Sequence, residues 1–239
     1  DSRDGTVYHV ARLADGNCWL LDNLALDLAN ATTISNLNES NTNATNETLN
    51  YLKNGGGTTS DRYATSAVSA NWNSSSSSYS DPLVISSAMN SIPSNQPVDS
   101  KGYNKVGVYY NYCAASAGSY CYGNGAETGS SVGDALEDIC PKGWRLPTGD
   151  STGEYGSLYE KYGYNTIALY RTALSLPLSG QVHPYNLISN QGSNGYWWSS
   201  TRRDDTFITG VTTTSYSSSP NTHYPADREY GFSVRCIMR

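Results

Sequence analysis

Residues 195–201 read Gly-Tyr-Trp-Trp-Ser-Ser-Thr, and residues 230–236 read Tyr-Gly-Phe-Ser-Val-Arg-Cys. The reading of these two stretches decides the fold. The first is dense in aromatics, so at least one of Trp197 and Trp198 is expected in a core. The second alternates. Phe232, Val234 and Cys236 face one way, and Ser233, Arg235 and Ile237 the other, which is the side-chain period of a strand. Runs at 176–183 and 206–213 are further strand candidates, separated by Gly, Pro and Asn punctuation. The C-terminal third therefore reads as an antiparallel sheet.

Upstream, 148–162 carries Tyr155, Leu158, Tyr159 and Tyr162 at i, i+3, i+4 and i+7, with Gly163 as a stop. This predicts a helix. A second short one is expected at 166–174, with Ile167, Tyr170 and Leu174 on one face. Residues 105–112 read as a strand. At the start, 6–13 (Thr-Val-Tyr-His-Val-Ala-Arg-Leu), the Asp15-Gly16 turn and Cys18-Trp-Leu-Leu21 read as a β-hairpin. The class is α+β, with two short helices packed on small antiparallel sheets. Between hairpin and helices lies a biased tract, with eight Asn between 30 and 54 and a Ser-rich run after it. Its apolar content is too thin for a core of its own. Residues 30–100 are therefore read as a polar insertion draped on a single 1–239 domain.

The composition narrows the function. Of 239 residues only 15% are charged, and the net charge is −6. Polyelectrolyte disorder is excluded, and a nucleic-acid partner is disfavoured. No 18-residue apolar run spans a membrane. There are 20 Tyr and 22 Gly against 2 Phe. Tyr with Ser, Gly and Asn is the composition of binding loops.

The five Cys lie at 18, 113, 121, 140 and 236. An odd count leaves at least one unpaired within the chain. Cys113 and Cys121 have no His or acidic ligand near them, so a local disulfide reads better than a metal site. Cys140 and Cys236 each flank a strand-like run, and spacing alone fixes no connectivity. Apolar Trp19 and Leu20 beside Cys18 favour a free, buried, unreactive thiol. The expected compartment is oxidising and extracytoplasmic, with any signal and anchor outside these residues.

Five motifs stand in order: Asp4-Gly-Thr-x-Tyr8, Asp15-Gly-x-Cys-Trp-x-x-Asp-Asn-Leu24, Cys140-Pro-x-Gly-Trp-Arg-Leu-Pro147, and the two stretches quoted first. Together they resemble the Fibrobacter succinogenes major paralogous domain. The resemblance implies a C-type-lectin-like fold with first and last strands paired, and secreted or surface-anchored bacterial proteins. It also implies that Cys140 lies close to Cys236, so the expected bonds are Cys140–Cys236 and Cys113–Cys121. The same fold carries sugar-binding lectins, formylglycine-generating enzymes and retroelement-diversified binding proteins, so function must be argued at the site.

Calcium-dependent sugar binding needs clustered oxygen ligands. Here Trp198 is followed by neutral Ser199 and Ser200, and Gln96-Pro97-Val98-Asp99 is one residue off the lectin triplet. No Cys is placed with a His and a carboxylate at a recognisable catalytic spacing, so no enzyme activity, cofactor or metal is expected. Binding by surface remains. The segment 201–230 holds three of the chain's ten Arg and several aromatics, both favoured in binding hot spots. Residues 201–228 also contain no Lys, Glu, Gln, Met or Trp, the types that adenine mutagenesis of Asn codons cannot produce. Arg202, Arg203, Asp205, Phe207, Tyr216, His223, Tyr224 and Arg228 are the candidate contacts. Arg203, Phe207, Tyr216, Tyr224 and Arg228 are expected to be exposed on one face. The expected protein is a monomeric surface binder or adhesin, partnered by a protein or glycan on another surface. The rival expectation is a structural surface or stalk protein without a specific ligand.

Overall fold

The computed structural model describes residues 1–26, 35–43, 67–68, 107–120, 133–165, 173–174, 176–183, 187–190, 193–204, 207–214, 220–228 and 230–238. The N-terminal hairpin forms as its sequence predicts. Strand β1 (Val10–Arg12) pairs antiparallel with β2 (Cys18–Leu20) across the Asp15-Gly16 turn. Gly16 sits at φ +86, which only glycine adopts cheaply. The Asp15 carboxylate locks the turn by accepting from the Asn17 backbone N–H and from Trp19 Nε1. The last strand, β13 (Ile237–Met238), lies between β2 and β7 (Trp144–Arg145), so the two ends of the chain share one four-stranded sheet.

Strands β10 (Asn194–Arg202), β11 (Phe207–Thr214) and β12 (Asn221–Asp227) form an antiparallel three-stranded sheet. Its inner part is covered on both faces, which explains why Tyr196-Trp197-Trp198 shows no polar alternation. Trp197 and Val211 pack toward Trp19, Tyr155, Leu158 and Ile237. Tyr196, Trp198 and Ile208 pack toward Tyr110, Phe232 and Val234. Strand β12 was not foreseen: Asn221-Thr-His-Tyr-Pro-Ala-Asp227 lacks an apolar run, and its Pro225 suits only an outer strand.

The C-terminal stretch is extended but pairs piecemeal. Gly231 and Val182 exchange both backbone hydrogen bonds, as do Phe232 and Tyr110. Ser233 then lies beside β10, and Ile237 reaches β2 and β7. One segment thus joins sheets that would otherwise be separate. Arg235, fully buried within it, donates to Asn23 Oδ1 at 2.7 Å and to the Leu20 carbonyl at 3.0 Å. Burial lowers its guanidinium to about 10, with nearby Asp22 and Tyr155 opposing the drop.

The remaining strands are short. They are β3 (Ser40–Asn41) on β6 (Asp138–Pro141), β4 (Ala67–Val68) on β5 (Tyr109–Tyr110), and β8 (Gln181–His183) on β9 (Leu187–Ser189). Part of the expected insertion is therefore integral to the core. Leu37 and Ser40 are buried, and Arg3 Nη1 donates to Ser40 Oγ at 2.7 Å.

Two helices occur among the described residues. The first, α1 (Tyr112–Ala115), ends the run expected as one strand, because the Asn111 side chain caps it by accepting from the Ala114 N–H. The second, α2 (Glu154–Lys161), starts later than expected. Asp150 lies at φ +65 and its Oδ1 accepts from the Thr152 and Gly153 N–H groups, which holds the preceding chain in a turn. Tyr155 and Leu158 face the core as predicted. Glu154 accepts from Arg145 and Thr148. Burial works to raise the Glu154 carboxyl, and these bonds overcome it and hold the carboxyl below its usual range. The helix expected at 166–174 lies outside the described residues apart from 173–174.

Cys140 and Cys236 form a disulfide with Cα atoms 5.9 Å apart, and Cys113 is also disulfide-bonded. Cys121 lies outside the described residues. Cys18 is a free thiol, but half-buried rather than buried. Trp144 is likewise half-buried, in an outer strand. Trp144→Ala is accordingly expected to cost about 1–2 kcal/mol, well below the 3–5 kcal/mol of a fully buried Trp. Chemical denaturation measures it, and a loss above about 3 kcal/mol would contradict this placement.

Candidate functional site

The ends of β10, β11 and β12 carry most of the candidate contacts. The β10–β11 turn is tightly bonded. The Arg203 and Asp204 N–H groups both donate to the Phe207 carbonyl, and the Phe207 N–H donates to Asp204 Oδ1. Arg203 is exposed, 3.9 Å from the Asp204 carboxylate. Phe207 is half-buried and His223 exposed. Asp205 and Tyr216 lie outside the described residues.

Arg228 corrects the expectation of exposure, and Arg202, another candidate contact, is buried beside it. Both are buried, at 5% and 8% exposed. Arg228 Nε donates to the Tyr120 carbonyl at 2.7 Å, and the Arg202 guanidinium lies over the Tyr120 ring at 5.3 Å. Arg202 Nε also donates to the Asp204 carbonyl. These two arginines tie the turn and the end of β12 to the chain after α1. Their sequence neighbourhood gave no warning, because Tyr120 is 82 positions before Arg202.

Strand alternation separates the remaining candidates. Tyr224 and Ala226 turn toward the Phe232 side, and His223, Pro225 and Asp227 turn to the other. The expected single face is therefore two. On the Phe232 side, partly buried Tyr224 lies 5.5 Å from the Tyr196 ring and 6.3 Å from Phe232. Partly buried Tyr230 lies 6.1 Å from Phe232 and meets the His183 ring edge-on at 5.2 Å. Asn190 and Asn194 amides donate to the Tyr196 hydroxyl. Burial raises the Tyr224 phenol above its usual value, and Tyr196, Tyr230 and Asp227 push the same way. It is therefore neutral across the physiological range.

Tyr230, Tyr196 and His183 were not among the candidates. The available signal was the period-two pairing of Tyr230 with Phe232 and of Tyr196 with Trp198, which places each pair on one side. His183 comes from β8, and no sequence spacing joins it to Tyr230. Two buried acceptors on the same elements, Gln181 Oε1 and Thr212 Oγ1, have no hydrogen-bond partner. Among the described residues, no three His, Cys, Asp or Glu side chains converge as a metal site. No protein-family profile matches the chain, and the comparisons with curated proteins and with solved structures likewise found no match.

Proposed function

We propose that the chain is a non-enzymatic, surface-displayed binding protein on a C-type-lectin-like scaffold. Its contact surface is the outer part of 201–230. The observation that carries this reading is the division of labour along β11 and β12. Ile208, Val211 and Ala226 are buried and hold the sheet, while Arg203 and His223 are exposed and Tyr224 is half-buried on a strand pinned at both ends. A rigid scaffold presenting variable-looking positions suits recognition. The five ordered motifs, and a sheet that holds both the first and the last strand with β2 between them, support the lectin-like scaffold. The Cys140–Cys236 disulfide supports display outside the cytoplasm, since such bonds persist in oxidising compartments. No helix among the described residues is long and apolar enough to cross a membrane.

The test is the triple variant Arg203→Ala, His223→Ala, Tyr224→Ala, applied with the parent to cell-surface protein and glycan arrays. The variant is expected to remain folded by circular dichroism and to lose the parent's array signal. A folded variant that keeps the signal places the contact surface elsewhere, with 30–100 the next candidate. A parent that binds nothing on the arrays favours a structural stalk. Diversification of 201–228 is part of the proposal, supported by its lack of Lys, Glu, Gln, Met and Trp. A neighbouring template repeat differing only at adenines is the expected genomic signature.

A further inference from the structure

One row of side chains crosses all four strands of the sheet that holds β1 and β13. Arg12 pairs with Cys18, and Met238 pairs with Trp144. The join between these two pairs follows from β2 and β13. Ile237 pairs with Trp19, and the Leu20 N–H donates to the Cys236 carbonyl at 2.9 Å. That antiparallel register sets Met238 directly across from Cys18. Cross-strand partners share a face, so Arg12, Cys18, Met238 and Trp144 follow one another along one side of the sheet. Trp19 and Ile237, on the neighbouring rung, turn the other way into the smaller core. The apolar Trp19 that suggested an unreactive thiol therefore faces away from Cys18.

The inner end of this face is closed. Leu20 and Cys236 are buried in the larger core, where Cys236 is bonded to Cys140. The outer end is open. Met238 is 44% exposed, Cys18 and Trp144 are half-buried, and Cys18 keeps a free thiol. Arg12 is drawn to the turn, where its Nε donates to the Gly16 carbonyl at 2.8 Å. A free thiol and a thioether thus meet at the surface, on neighbouring strands far apart in sequence.

We propose that Cys18 and Met238 together bind a soft monovalent metal ion, Cu(I). This site lies outside 201–230 and does not depend on the binding reading of that segment. Thiolate and thioether ligands select Cu(I) over harder ions. A metal–sulfur bond is about 2.3 Å, so two sulfurs in line on one ion stand about 4.6 Å apart. The Cβ atoms of a cross-strand pair are about 4.5–5.5 Å apart, so both sulfurs reach one ion without moving the strands. As the sulfur–copper bond forms, the Cys18 thiol releases its proton to solvent. The thiolate then cancels the charge of the ion, and the Met238 thioether adds none. Trp144, next in the row, offers an indole face to the bound cation. Zn²⁺ is disfavoured because a structural site takes four ligands, and no three His, Cys, Asp or Glu side chains converge among the described residues.

Anaerobic titration with Cu(I), in competition with bicinchoninate and with ascorbate as reductant, tests the proposal and leaves the disulfides intact. The parent is expected to withdraw about one equivalent of copper, with two sulfur neighbours at about 2.3 Å by X-ray absorption. Cys18→Ser is expected to abolish this uptake. Met238→Leu is the sharper variant, because it keeps the thiol and replaces an exposed side chain with one of similar size. It is expected to weaken binding at least about tenfold while the melting temperature holds. A Met238→Leu protein that binds copper as the parent does would show the thiol acting alone, and would overturn the paired site. A parent that takes no copper from bicinchoninate, or a coordination shell of nitrogen and oxygen, would overturn it as well.

Discussion

Replacing Cys140 and Cys236 together with Ala is expected to lower the unfolding free energy by about 4–5 kcal/mol. The bond joins residues 96 positions apart, and the entropy released to the unfolded chain grows with the logarithm of that loop. It also joins two structural systems. Cys140 lies in β6, which carries β3 and its Arg3 contact, and Cys236 immediately precedes β13 at the centre of the four-stranded sheet. Both cysteines are fully buried in the larger core. The double Ala variant is a cleaner test than a reductant, which would also break the bond made by Cys113. Guanidinium denaturation of parent and variant measures the difference. A loss below about 1 kcal/mol would mean that the unfolded chain is already compact enough for the staple to restrain little.

The parts legible in the sequence were those whose signal is local. The N-terminal hairpin is written in Asp15-Gly16 and its flanking runs. Alternation from Phe232 to Ile237 correctly divides the two cores, with Phe232, Val234 and Cys236 in one and Ile237 in the other. Helix α2 follows from Tyr155 and Leu158, although its start does not, because the turn at Asp150 depends on side-chain bonds to the chain ahead of it. What stayed hidden is long-range. Nothing near Arg202 or Arg228 announces that Tyr120 will hold them buried. Strand β12 is held by pairing with β11 rather than by its own apolar pattern. The aromatic face draws Tyr224, Tyr230 and His183 from separate elements, and only the Val182–Gly231 pairing sets the last two side by side. Trp144 shows a related limit: a large apolar residue in a strand is core only if another layer covers it, and β7 is the outermost strand of its sheet.

Trp198→Ala is expected to cost about 3–5 kcal/mol. The indole is fully buried, stacked on Phe232 at a centroid distance of 4.3 Å and edge-on to Tyr112 at 5.2 Å. Its Nε1–H donates to the Tyr110 carbonyl at 2.7 Å. That carbonyl also accepts from the Phe232 N–H at 3.0 Å, so losing the indole does not orphan it. The packing loss therefore outweighs the hydrogen-bond loss. Trp198→Phe separates the two, since it keeps a ring against Phe232 and gives up only the Nε1–H bond, at about 1 kcal/mol. Equal destabilisation by Phe and by Ala would show that the bond, not the ring, carries the stability. The pair of variants also connects core to site. Phe232 is the ring against which Tyr224 and Tyr230 lean, and Trp198 is what holds Phe232 from behind. With Trp198→Ala, Phe232 gains room to relax, and the array signal is expected to fall under conditions where circular dichroism still reports a folded chain. With Trp198→Phe, the signal is expected to stay within about twofold of the parent. A retained signal in a folded Trp198→Ala protein would mean that the aromatic face is held in place without its backing layer.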